Sequence, residues 1–182
     1  MNSHRLILVV GVFVAFATAN ALPGQASPDS DYIARALSAA PPAVASGAAV
    51  VRMEEDGSLT TLRKGSNGFT CLAFHPSVPM CADANSMEFM QAVMKHVPPP
   101  NKVGIAYMLQ GDAPGGSNTD PYATSKTADN HWVVNGPHIM VFGPPAKTLG
   151  YPATKDPDTT KPYMMWAGTP YEHAMIPVAL PQ

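Results

Sequence analysis

The stretch Thr70-Cys-Leu-Ala-Phe-His-Pro-Ser-Val-Pro-Met-Cys81 contains both cysteines of the chain, with a histidine and a methionine between them. Residues Phe69–Phe74 predict a strand that carries Cys71, and the proline-rich loop after it brings the chain back to Cys81. Two cysteines allow a single intramolecular disulfide, and closing so short a loop stabilises a fold by about 2–3 kcal/mol. The sequence therefore predicts a structural Cys71–Cys81 disulfide.

Two other interpretations of this stretch stay open. Thiolate, imidazole and thioether groups suit Cu(I) or Zn(II), so Cys71, His75, Met80 and Cys81 could be metal ligands, although their spacing matches no standard zinc pattern. A redox-active disulfide is the third interpretation, but the cysteines are far from a Cys-x-x-Cys arrangement.

The amino terminus has the pattern of an export signal. A basic tip is followed by the apolar run Leu6–Ala17 and by Ala19-Asn-Ala21, small residues at the spacing that a signal peptidase accepts. The apolar run is shorter than the about 20 residues of a membrane-spanning helix. We predict that residues 1–21 are a cleaved signal peptide, that the product is periplasmic or secreted without stable membrane insertion, and that its thiols are oxidised.

The composition predicts one domain and excludes a class of partner. The formal net charge is −2, charged residues make up 13% of the chain, and no basic stripe is present, so nucleic acid is not an expected partner. Residues 22–47 form a leader or a short helix, because Tyr32, Ile33, Ala36 and Leu37 recur at helical spacing. Residues 48–182 are expected to form a single domain.

A hairpin is predicted where Val50–Glu54 and Ser58–Arg63 flank Asp56-Gly57. With these two residues as the turn, Val51 would face Leu62.

A helix is predicted from Asn85, a capping residue, to His96, before a run of prolines. Met87, Met90, Met94 and Val97 would line its core-facing side, where methionine packs readily.

Val103–Leu109 predicts a buried strand, and the proline- and glycine-rich segments between elements predict long loops. Together these features predict an α+β fold with a mainly antiparallel sheet built from hairpins, with one or two helices packed on one face.

The segment His131–Phe142 is predicted to form a second hairpin around Asn135-Gly136. Because side chains alternate along a strand, His131, His138 and Met140 would then share one face. We interpret this face as a ligand-binding surface and a weak candidate metal site. A turn that differs by one residue would send one histidine to the opposite face.

The polar stretch 110–130 has no periodicity, and connections of this length are usually functional. Asp120 and Tyr122 are therefore further candidate ligand-binding residues, although no calcium-loop spacing is present.

Six segments of the chain carry a resemblance to a protein family: Arg63-Lys-Gly-Ser-Asn-Gly-Phe-Thr-Cys71, Pro79-Met-Cys81, Gly104-Ile-Ala-Tyr-Met-Leu-Gln-Gly-Asp112, Ser117-Asn-Thr-Asp-Pro121, Gly136-Pro-His-Ile-Met-Val141 and Met165-Trp-Ala-Gly-Thr-Pro-Tyr-Glu-His173. With them, the chain resembles a family of uncharacterised exported bacterial proteins that has no assigned activity. The resemblance implies a bacterial, exported origin and supplies no catalytic residue or cofactor.

The function that the sequence favours is a small-ligand or metal-binding module. An envelope structural or interaction protein is one alternative, and a hydrolase that uses a histidine base is another. The chain has neither a Gly-x-Ser-x-Gly nor a His-Glu-x-x-His motif, so the sequence leans against an enzyme. Catalytic residues and cofactors stay unassigned.

Overall fold

The computed structural model describes residues 28–74 and 78–178. The predicted signal peptide and His75 lie outside these residues. Within the described ranges, no helix is both long enough and apolar enough to span a bilayer.

The chain begins with two short helices and a hairpin. Helix α1 is Pro28–Leu37, as its apolar spacing predicts, and α2 is Pro42–Ala45. Strands β1 (Ala49–Met53) and β2 (Leu59–Arg63) pair antiparallel, which confirms the predicted hairpin.

The register of this hairpin differs from the predicted one. Val51 pairs with Thr61 instead of Leu62, and Met53 pairs with Leu59. The connection is longer than the predicted two-residue turn, because the backbone N–H of Glu54 donates to the carbonyl of Ser58. An irregularity between Val50 and Val51 shifts the pairing again.

The opening stretch of the sequence forms the next hairpin. Strands β3 (Phe69–Ala73) and β4 (Pro79–Asp83) pair antiparallel with Cys71 directly opposite Cys81, and the two cysteines form a disulfide. The predicted disulfide is thereby confirmed, and it links neighbouring strands in the middle of the sheet.

Helix α3 (Ala84–Met94) follows β4 directly. Its cap is Asp83 instead of the predicted Asn85, because the Asp83 carboxylate accepts a hydrogen bond from the backbone N–H of Ser86 at 2.8 Å. The predicted methionine face is also rotated. Phe89 and Val93 are buried in the core, whereas Met94 is 51% exposed and Val97, also predicted to face the core, is 45% exposed.

The remaining elements follow α3 along the chain. They are β5 (Gly104–Met108), β6 (Gly116–Ser117), β7 (Trp132–Val133), β8 (His138–Phe142), a 3-10 helix (Pro144–Leu149), β9 (Tyr163–Met165) and β10 (His173–Pro177). Eight strands form one sheet in the order β2-β1-β3-β4-β5-β8-β10-β9, and β6 pairs with β7 in a separate ribbon. All neighbours in the large sheet are antiparallel except β1 and β3.

The α+β class and the mainly antiparallel sheet are confirmed, but the helices lie on opposite faces instead of one. Helix α1 packs over Cys71 and Cys81, whereas Phe89 of α3 packs with Met80 and Ala82 of β4. Successive residues of a strand point to opposite faces, so the apolar residues of β4 require cover on both sides.

The predicted hairpin over His131–Phe142 is wrong. Strand β7 pairs with β6, and β8 lies between β5 and β10. The turn residues are held by a distant segment instead, because the Asp112 carboxylate accepts from both the backbone N–H and the side-chain amide of Asn135, each at 2.7 Å.

Candidate functional site

A cavity of about 310 Å³ lies on the α3 side of the sheet, against strands β4, β5, β8, β9 and β10. Two histidines, a tryptophan and six methionines are among the residues that line it: His138, His173, Trp166, Met80, Met90, Met108, Met140, Met165 and Met175. Its volume is in the range of small-molecule sites.

The pairing register of the strands places these side chains side by side in one wall of the cavity. His138 of β8 pairs with Met108 of β5, and Met140, two residues further along β8, pairs with Met175 of β10. Because positions two apart on a strand share a face, these four side chains form one continuous patch. The same rule places His173 of β10 on this face, opposite Met165 of β9.

His138 uses one of its two ring nitrogens in a hydrogen bond to the part of the chain that the structure describes. Its Nδ1 lies 2.7 Å from the backbone carbonyl of Gly136, and since a carbonyl only accepts, Nδ1 carries the proton. In the neutral ring the lone pair is therefore on Nε2, which is buried and has no hydrogen-bond partner among the described residues. Burial is the main cause that lowers the pKa of His138, so the ring is neutral at pH 7.

His173 is held in the same way. Its Nδ1 donates to the backbone carbonyl of Tyr171 at 3.0 Å, and its ring lies 4.8 Å from the rings of Phe142 and Trp166. Burial lowers the pKa of His173 from 6.5 to about 4. Both imidazoles of the cavity are therefore neutral groups with a lone pair on Nε2.

Trp166 closes part of the cavity from an uncommon backbone conformation. Its φ of 56° lies in the left-handed region, which bulky residues rarely adopt. Its backbone N–H donates to the carbonyl of Asn118 and its indole N–H donates to the carbonyl of Ser117, both at 2.9 Å. These bonds hold the indole against His173 and offset the conformational cost.

A network of hydrogen-bonded polar side chains lies near His138. Besides its two bonds to Asp112, Asn135 accepts a hydrogen bond from the Tyr163 hydroxyl through its amide oxygen, at 2.8 Å. Asp112 also lines the cavity, and its negative charge opposes the effect of burial on His138. The network thus places one carboxylate near His138, in the wall of the cavity that His173 also lines.

The structure separates the predicted ligand residues. His138 and Met140 line the cavity, but His131 does not. His131 has a φ of 46° and its Nδ1 pairs with Asp156 at 2.9 Å. The predicted shared face of His131 and His138 is wrong, because the two residues do not belong to one hairpin.

Asp120 and Tyr122 line a different surface depression, together with His96 and Tyr171. The Tyr122 ring stacks on His96 with centroids 4.0 Å apart, and its hydroxyl donates to that of Tyr171 at 3.0 Å. The hydrogen bond to Tyr171 is the main cause that raises the pKa of Tyr122 to about 12.

Met108, Met175 and Trp166 are among the cavity residues that the sequence did not single out as a site, and His173 was considered only as one of the histidines that could act as a base. The alternation of His138 with Met140 and of His173 with Met175 was the available signal, since both pairs repeat a His-x-Met pattern on adjacent strands. Within the described part of the chain, no group of three or more His, Cys, Asp or Glu side chains is arranged to hold a metal ion.

Comparison with known proteins identified no relative of this chain. A scan against protein-family models, a search of curated proteins and a search of solved structures each found no match to the chain.

Proposed function

We propose that this protein is an exported module that binds a small ligand in the cavity of His138 and His173. The observation that carries the proposal is the Nε2 atom of His138, which is buried without a hydrogen-bond partner among the described residues. Leaving a buried acceptor unpaired costs about 1–3 kcal/mol, so such a group calls for a physical reason. A ligand that donates to Nε2 or coordinates it supplies that reason.

The shape and chemistry of the cavity support the same proposal. Its wall is formed mainly by thioether and aromatic side chains, with a few polar groups at fixed positions. Small-molecule sites typically combine an apolar lining with a small number of oriented polar groups. Here Gly136 fixes the orientation of His138, and Tyr171 fixes that of His173.

Export and bacterial origin are part of the proposal. The signal-like residues 1–21 and the resemblance to exported bacterial proteins support it. The Cys71–Cys81 disulfide is compatible with an oxidising compartment outside the cytoplasm. The low net charge of −2 supports a small ligand over a nucleic acid as the partner.

A thermal-shift screen tests the function. The purified protein is heated with a panel of small neutral N–H and O–H donors, such as indole and phenol, and with single metal ions. A ligand at 100 times its Kd stabilises a protein by about 2.7 kcal/mol, which raises Tm by roughly 5–10 °C at this size.

The variant His138→Ala should abolish the rise in Tm, whereas His131→Ala, outside the cavity, should retain it. A panel that produces no shift in the wild-type protein would overturn the proposal and favour the envelope-interaction and hydrolase alternatives.

A further inference from the structure

The methionines of this chain are concentrated around the His138 cavity. Of the 11 in the sequence, six line this cavity, and a neighbouring groove that shares Phe74 and Met90 with it contains three more, Met53, Met87 and Met94. Methionine fills irregular cores readily, so a few such residues would need no special reason. Nine of 11 in two adjoining spaces is a bias toward one region of the molecule.

The strands show the same bias position by position. On β8, Met140 points into the cavity while Ile139 and Val141 occupy the alternate positions, and on β10 Met175 points inward while Ile176 does not. Strands favour β-branched residues, and the chain uses them on the other face of these strands. Thioethers therefore replace the usual strand residues where the wall meets the cavity.

His138 lies among these thioethers. Met108 is its cross-strand partner, at a position where Cβ atoms are about 4.5–5.5 Å apart, and Met140 is the next residue along β8 on the same face. All three side chains are at least 94% buried. The long and flexible methionine side chain allows both sulfurs to approach a group bound at Nε2.

The imidazole and thioether groups around His138 favour one class of metal ion, the soft ions. Thioether and neutral imidazole groups are soft or intermediate ligands that suit Cu(I), whereas calcium and magnesium require several oxygen donors. A monovalent ion also fits the charge, because Asp112 is the single carboxylate and no lysine or arginine is found among the described residues that line the cavity. Zn(II) usually takes four ligands that include thiolates, imidazoles or carboxylates, and such a cluster was not found within the described ranges.

We propose that the ligand of this cavity is a soft monovalent metal ion, Cu(I), coordinated by Nε2 of His138 and the sulfurs of Met108 and Met140. This inference rests on the proposed function and names its ligand. Coordination gives the unpaired Nε2 atom a partner, and the apolar wall keeps water away from the ion. The Cu(I) oxidation state is favoured there because thioethers bind Cu(I) in preference to harder ions.

Silver provides the first test. Ag(I) resembles Cu(I) in charge and softness and needs no reductant, so the Cys71–Cys81 disulfide stays intact during the titration. Native mass spectrometry should show one Ag(I) per protein. In protein labelled at the methionine methyl groups, the NMR signals of Met108 and Met140 should move, and those of the buried Met164 should not, because Met164 faces away from the cavity.

Competition with a Cu(I)-specific chelator in the presence of ascorbate then gives the affinity for copper. The double variant Met108→Leu and Met140→Leu should lose at least about tenfold in Cu(I) affinity, since even the loss of a group that supports a metal ligand costs 10–100-fold. Leucine conserves volume, so the fold should be retained. Met164→Leu is the matched control and should bind Cu(I) as the wild type does.

His138→Gln completes the set by removing the nitrogen donor, and the methionine double variant carries the test if that protein does not fold. Equal Cu(I) affinity in the wild type and in the double variant would overturn the copper inference. Stabilisation by indole or phenol without binding of Ag(I) or Cu(I) would overturn it too and leave the proposed function intact. No binding of any probe would overturn both.

Discussion

Acid should destabilise this protein because His173 is buried as a neutral imidazole. The residue is 2% exposed and packs between aromatic rings, and burial is the largest cause of its lowered pKa of about 4. The unfolded chain takes up a proton near the ordinary pKa of 6.5, whereas the folded protein resists it. The stabilisation is therefore complete above about pH 6.5 and is lost as the pH falls toward 4.

The size of the effect follows from the two pKa values. With pKa values of 6.5 unfolded and about 4 folded, the free energy of unfolding should fall by about 2 kcal/mol at pH 5 and about 3 kcal/mol at pH 4. His138 acts in the same direction, because burial lowers its pKa as well. Acidification from pH 8 to pH 5 should thus remove a large fraction of the stability of a typical domain.

Urea unfolding at pH 8, 6 and 5 measures this loss. The variant His173→Gln removes the titrating ring, so its stability should fall by about 2 kcal/mol less than that of the wild type over this range. Met175→Leu, in the same cavity wall, is the matched control: it changes packing, keeps both imidazoles and should show the wild-type pH dependence. The same pH dependence in His173→Gln and in the wild type would refute the reasoning.

Three further predictions concern residues that lie in, or directly after, strands of the cavity wall. Reduction of the Cys71–Cys81 disulfide should lower the free energy of unfolding by about 2–3 kcal/mol in urea titrations, because the unfolded chain regains the freedom of a short loop. Tyr163→Phe should lower it by about 1–2 kcal/mol in the same assay, since the buried amide oxygen of Asn135 loses its donor. Gly143→Ala should lower Tm by several degrees and cost at least about 2 kcal/mol, because its φ of 96° excludes a side chain and the added methyl would collide with a backbone carbonyl.

Gly68 offers a matched control for the glycine substitution. Its φ is 80°, but an added methyl would meet nothing within 4 Å, so Gly68→Ala should cost only about 1 kcal/mol. Equal losses at the two glycines would contradict the collision. An unchanged urea midpoint after reduction would contradict the disulfide argument, and a fully stable Tyr163→Phe protein would show that Asn135 does not depend on the hydroxyl.

Local patterns predicted most of the elements. Helix α1, the β1–β2 hairpin and β5 were found where apolar spacing and turn residues place them, because these signals depend on residues close together in the chain. The predictions that were wrong concern the ends and the rotation of elements, which depend on contacts with the rest of the fold. Asp83 replaced Asn85 as the cap of α3, and the exposed Met94 showed that the helix is rotated relative to its predicted core face.

The candidate site could be predicted only in part. His138 and Met140 were recognised from two-residue alternation, which holds in any strand. His131 was wrongly grouped with them, because Asn135-Gly136 is a strong local hairpin signal and nothing nearby in the sequence reveals its bonds to Asp112. Long-range hydrogen bonds overrode the turn preference here.

The sequence by itself determined the kinds of side chain available: two cysteines for one disulfide, many methionines, few charges and histidines as the reactive groups. Only the tertiary structure decided that β8 lies between β5 and β10, and so brought His138 and His173 into one cavity. The physical reason is that strand pairing joins residues far apart in the chain through backbone hydrogen bonds, which every residue type except proline can both donate and accept. Side-chain identity therefore says little about which strands become neighbours.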